Sequence, residues 1–186
     1  MLNLSVVTKS SSSETSLECK SHADTCCIGR DALVLRDFDR PVQVYGYDPT
    51  LGSQTFRTVS AAMAYTQPVD GRLYLLVVHQ AIETIPHLDH HLLCPMQCRV
   101  NDVDFNETPR FLLKKVTKET HAIVVPDHES ENGTLSLPFL LKGVKSYLPV
   151  RKPTMAEWNS DLHPIIDLTS EHLDWDPTST SPLMDS

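Results

Sequence analysis

Residues 19–27, CKSHADTCC, crowd three thiols, a lysine, a serine, a histidine and a carboxylate into nine positions. Three chemistries use such groups. A carboxylate held at a turn activates water as a general base, a thiol beside an imidazole acts as a nucleophile, and thiols with imidazoles a few residues apart hold zinc. A second concentration follows in HLDHHLLCPMQC, with His87, His90, His91, Cys94 and Cys98. His91-x-x-Cys94 and Cys94-x-x-x-Cys98 could each form half of a four-ligand zinc site, with Cys19-x-x-His22 as the other half. Their spacing matches no zinc module, so the expectation is buried structural cysteines, with no metal and no cofactor. For a Cys/His hydrolase, Cys26 or Cys27 would pair with His79 or His90. Nothing sets either thiol at a helix N-terminus, where its pKa would fall. His79, inside LLVVHQAI, reads as a core or interface histidine rather than a catalyst.

The elements that must position these groups read as strands. PVQVYGYD alternates polar and apolar residues, TFRTVSAAMAY resumes after the PTLGS break, and RLYLLVVHQAI is a long apolar run. It follows the turn PVDG, whose Gly71 suits a tight hairpin. RFLLKKV, HAIVVP and TLSLPFLLKGVKSYLPV form a second β group, with HESENG as the turn between the last two. Pro138 marks an edge strand or a bulge. Helix signals are sparse: HHLLCPMQCRV allows one short turn broken by Pro95, and Thr154 to Glu157 reads as a capping box.

With 186 residues, 40% of them apolar, the chain suits one ordinary domain plus tails. Its net charge of −8 gives no electrostatic footprint for direct nucleic-acid contact. No apolar run nears the roughly 18 residues that cross a bilayer, and MLNLSVVTKSSSSE is too short in apolar residues for a leader. These features imply no membrane partner and a cytoplasmic setting, the nucleus remaining open. An odd count of five cysteines then implies reduced thiols.

Three segments in order resemble one family. SHADT at 21–25, the glycine-bearing hairpin VQVYGYDPTLGS at 42–53 and LLVVHQAIETIPHLDHHLLCPMQC at 75–98 are similar to the retropepsin-like aspartic protease domain of Copia-type retrotransposon polyproteins. In that family an Asp-Ser/Thr-Gly-Ala loop precedes a flap hairpin, then a buried strand and a Pro-x-Leu-x-His-Asn-Leu-Leu-Ser signature. Here the signature reads Pro86-His87-Leu88-Asp89-His90-His91-Leu92-Leu93-Cys94. The resemblance implies an all-β fold: a closed, barrel-like retropepsin core with a flap hairpin, an added β-hairpin region and disordered tails. The divisions are a Ser-rich tail at 1–16, the retropepsin-like domain at 17–105, a β-rich connecting region at 106–152, and a short helix with an acidic disordered tail at 153–186. It further implies a homodimer, because each chain supplies half an active site, and a peptide or polyprotein substrate. The motif positions are Lys20, Ser21, His22 and Ala23, with Tyr45, Gly46 and Tyr47 as flap residues over the peptide.

Two positions depart from the pattern. His22 stands where glycine is usual, a mild change, since histidine enters the left-handed region more readily than branched residues. Lys20 stands where the catalytic aspartate belongs. An ammonium has donors only and cannot take a proton from water. In a symmetric pair, two such charges about 4 Å apart repel by roughly 4 kcal/mol at an effective dielectric of about 20. Asp24 is the fallback carboxylate, but a strand beginning there would aim it away from the dyad axis. The expected function is therefore an aspartic endopeptidase-like domain that is inactive or impaired. The alternatives are a peptide-binding module that takes its ligand by strand addition under residues 42–60, and a small zinc-stabilised β protein.

Overall fold

Two apolar runs form the spine of the molecule. The computed structural model describes residues 13–46 and 48–179. It opens with β1 (Thr15–Cys19), β2 (Cys27–Ile28), β3 (Leu33–Asp37), β4 (Val42–Tyr45) and β5 (Ser53–Phe56), and reaches the spine at β6 (Thr58–Thr66) and β7 (Leu73–Glu83). Both spine strands are buried along nearly their whole length. Burial on both faces explains the absence of alternation, and Ala61, Ala62 and Ala64 keep β6 thin beneath its covering layers. The turn between them carries Gly71 at φ 72°, and the Gln67 and Gly71 amides close it. The expected glycine hairpin is there.

Next come β8 (His91–Leu93), helix α1 (Pro95–Arg99), β9 (Asp104–Asn106), β10 (Ala122–Pro126), β11 (Thr134–Pro138), β12 (Leu140–Lys142), β13 (Lys145–Val150), helix α2 (Met155–Trp158) and β14 (Ile165–Asp167). Among the described residues the main sheet runs β12-β13-β1-β8-β2-β7-β6-β3, with β14 also on β7, making nine strands. β9, β10 and β11 form a second sheet, and β4 with β5 a separate two-stranded ribbon. The chain is all-β in character, with two short helices. The main sheet curls until Ala64 bridges Arg151, yet β12 and β3 remain its ends. The expected closed barrel is not formed. Met63 and Tyr65 on β6 and Leu148 and Val150 on β13 share one core cluster, and the backbone pairing between the two regions is that single bridge, just beyond β13.

The core crosses the expected domain boundary. Leu17, Cys26, Leu76 and Leu93 share one cluster with Phe105, Ile123, Leu137, Leu148 and Leu168, and position 105 lies inside β9. Other expectations also change. The first strand starts at Thr15, inside the expected serine-rich tail, whose first twelve residues lie outside those described. RFLLKKV is no strand: Arg110–Leu112 is a single 3₁₀ turn and Phe111 is exposed. β10 is already paired on both edges, by β9 and β11, so this segment cannot pair with it. Pro138 ends an edge strand, as expected. Pro95 opens α1 instead of breaking it, because the first helical position needs no amide hydrogen. The capping box at Thr154 and Glu157 is present in both directions. The segment after α2 is placed through Ser179 rather than disordered: β14 pairs in parallel with Leu75–Val77, and Leu168 and Thr169 are buried. No helix among the described residues is long and apolar enough to cross a membrane.

Candidate functional site

The loop at 20–25 hangs from the β1–β8 ladder. Cys19 pairs with Leu93, and the next amide, that of Lys20, donates to the Leu93 carbonyl at 3.1 Å. The Ala23 amide then donates to the Lys20 carbonyl at 3.0 Å and closes a tight turn. None of residues 20–24 has a positive φ. His22 therefore does not enter the left-handed region, and needs no tolerance for it. Lys20, Ser21 and His22 are exposed, and Ala23 is half-buried. The Lys20 ammonium and the Ser21 hydroxyl find no partner among the described residues.

Beyond the turn the chain plunges inward, and polar pegs hold it there. The buried Cys26 amide donates to Gln97 Oε1 at 2.8 Å, and the Cys94 amide donates to Cys26 Sγ at 3.2 Å. Gln97 is 2% exposed, and its Nε2 donates to the carbonyls of His79 and Gln80. These two carbonyls lie on β7 between its pairing with β14 at Leu75–Val77 and its pairing with β2 at Ile82–Glu83. Gln97 thus satisfies backbone groups that a strand would otherwise cover. Gly29 is demanded by space: a Cβ there would stand 2.1 Å from the His90 carbonyl oxygen. Its amide donates to His91 Nδ1 at 3.1 Å. That bond leaves the imidazole hydrogen on Nε2, which is buried without a partner among the described residues. Desolvation pushes the His91 pKa down to about 4.

The β4–β5 hairpin overhangs this loop. A cleft of about 1080 Å³ opens between them, lined by His22, Ala23, Asp24 and Thr25 on one side and Val42 to Tyr45 on the other. Asp24 was expected to be entering a strand, but β2 starts only at Cys27, and Asp24 is an exposed member of the cleft wall. Tyr45 lines the cleft as well. Gly46 is exposed, has no positive φ, and has room for a Cβ, the nearest atom being the Asp48 carbonyl oxygen at 3.9 Å. The hairpin tip instead requires Gly52, at φ 77°. Tyr47 lies outside the described residues. At the hairpin base Arg57 pairs with Glu83 at 2.6 Å and Asp37 at 3.1 Å.

The competing chemistries meet physical obstacles. All five cysteines are free. Burial pushes the thiols of Cys19, Cys94 and Cys98 up and that of Cys27 up to about 12, which suppresses the thiolate a nucleophile needs. Among the described residues no group of three or more His, Cys, Asp or Glu side chains converges as metal ligands do. A Ser60–His79–Asp167 chain does have triad connectivity, with His79 Nδ1 2.7 Å from Ser60 Oγ and Nε2 3.0 Å from Asp167 Oδ1. Ser60 is 2% exposed and cannot meet a substrate, so the chain is a brace joining β6, β7 and β14. His79 is a satisfied core histidine, as its sequence context implied.

Sequence reasoning missed Gln80, Gln97 and Trp175. The available signals were polar residues inside apolar runs, and one indole in an otherwise polar, acidic tail. No protein-family model matches the chain, and no curated protein or solved structure matches it.

Proposed function

We propose that the chain is a retropepsin-type half-site of Copia-like polyprotein descent, which keeps a peptide cleft and has lost the dyad carboxylate. One observation carries the reading: the turn at 20–23, exposed at Lys20, Ser21 and His22, borders through His22 and Ala23 a cleft that a separate β-hairpin also lines. In such a half-site the turn meets its twin across a two-fold axis, and the open Ser21 hydroxyl is free to bond across it. With Lys20 at the apex, the pair holds two ammonium groups where the dyad carboxylates belong, and an ammonium takes no proton from water. The homodimer therefore holds peptides and does not cut them.

The test compares wild type with Lys20→Asp on a mixed peptide library, with sedimentation of both proteins alongside. The expected result is no cleavage by wild type, and cleavage by the variant that a pepstatin-like inhibitor blocks. Cleavage by wild type, or silence from a variant that has formed dimers, overturns the proposal. A second reading, a peptide-binding module with no protease ancestry, is favoured by the extended polypeptide that already forms one wall of the cleft. Peptide binding by both proteins without turnover by either selects it.

A further inference from the structure

The far wall of the cleft is the chain's own end. Residues Asp174–Thr178 line it together with the motif loop and β4. We infer that the seat along this wall, made by Gln80 and the Asp24–Thr25 loop, is a receptor for an extended peptide bearing a tryptophan followed by Asp-Pro, and that Leu173–Thr178 is its built-in occupant. The inference rests on the cleft being a peptide site, as proposed above, and adds the seat that borders it.

The hold on this strap has two parts. Gln80, 2% exposed on β7, grips its backbone: Nε2 donates to the carbonyls of Ser170 at 2.9 Å and Leu173 at 2.6 Å, while Oε1 accepts from the Trp175 amide at 2.8 Å. Arg40 Nη2 donates to the same Oε1 at 2.8 Å. Gln80 sits at φ 53°, a left-handed conformation costly for a residue with a side chain, beside the bulge between Val59 and Ala61. The irregularity turns an amide that would otherwise follow the strand toward the strap. These bonds read main chain only, so any extended peptide could satisfy them.

Specificity comes from the indole. Trp175 Nε1 donates to the Asp24 carbonyl at 3.0 Å and to Thr25 Oγ1 at 3.3 Å, and its ring packs against the core. The contact falls on the motif loop itself. Pro177 keeps Asp176 extended, and Asp176 Oδ1 accepts from the Thr178 amide and hydroxyl, turning the chain back at the cleft mouth. Asp174, 3.7 Å from Arg40, is almost fully exposed and adds little. Among the described residues no backbone bond joins the strap to β4. The occupant is clamped by side chains rather than by strand addition. It also follows β14, so its release moves no strand of the sheet.

A tethered occupant competes at an effective concentration on the order of millimolar. The experiment uses a fluorescein-labelled peptide with the sequence of residues 171–179 and the full chain, read by anisotropy. Trp175→Ala should bind the peptide at least about tenfold more tightly than wild type, and a peptide with alanine in place of its tryptophan should bind neither. Equal binding by both proteins, or none by a folded Trp175→Ala, overturns the inference. Should Trp175→Ala fail to fold by circular dichroism, Trp175→Phe keeps the ring, drops the indole N–H, and must show the same ordering. Lys20 stays in place throughout. A protein that binds the peptide but is silent as Lys20→Asp keeps the strap and loses the protease ancestry. One that cleaves as Lys20→Asp and never binds the peptide does the reverse.

Discussion

Acidification from pH 7 to pH 5 should destabilise this protein mainly through one histidine. His91 is completely buried, accepts from the Gly29 amide and titrates near 4 in the folded chain, against about 6.5 when unfolded. Between those values the unfolded chain takes up a proton that the native one refuses. Stability is therefore full above about pH 6.5 and falls as pH drops toward 4. The depression is worth about 3 kcal/mol in all, of which about 2 kcal/mol is lost between pH 7 and pH 5. With a urea slope of about 2 kcal/mol/M for a chain of this size, the midpoint should move by roughly 1 M. His121, whose pKa burial also lowers, acts in the same direction. Glu157, held at about 2 by Arg151, titrates below the window. The control is His91→Asn, which offers the Gly29 amide an acceptor that does not titrate. Urea unfolding by circular dichroism at both pH values should give the variant a clearly smaller midpoint shift than wild type. Equal shifts in the two proteins would refute the assignment of His91 as a buried neutral imidazole.

Gln97→Ala should cost about 2 kcal/mol in urea unfolding and speed amide exchange at Cys26, because it removes the partner of that buried amide and of the Gln80 carbonyl, while the His79 carbonyl keeps the Thr169 hydroxyl; a loss under about 1 kcal/mol would show that the peg is dispensable. Gly29→Ala should destabilise by about 3 kcal/mol or prevent folding, since its Cβ meets backbone. Gly46→Ala, with room for a Cβ, should stay within about 0.5 kcal/mol of wild type by the same assay. At pH 8 the native thiols should react with a disulfide reagent about a hundredfold more slowly than those of the urea-unfolded chain, since burial holds Cys27 near 12 and raises Cys19, Cys94 and Cys98. Rapid modification of these residues in the native protein would contradict that.

What sequence alone determined was set by forces acting over a few residues. Gly71 and Gly133 turn their hairpins because they tolerate a positive φ, Thr154 and Glu157 cap a helix across one turn, and Pro138 confines its strand to an edge. The exposure of Lys20, Ser21, His22 and Asp24 follows for the same reason, since a tight turn of small and polar residues leaves them in solvent. The tertiary structure alone decided who partners whom. Nothing within RFLLKKV reports that β10 has no free edge, and nothing near Ile165 reports that β7 keeps a vacant flank ninety residues earlier in the chain. Gln97 reads as an ordinary polar residue until its amide meets a gap in a distant ladder, and Trp175 as part of a loose tail until its indole reaches Asp24. A backbone group must find a partner once water is excluded, but which partner depends on which distant strands lie beside it.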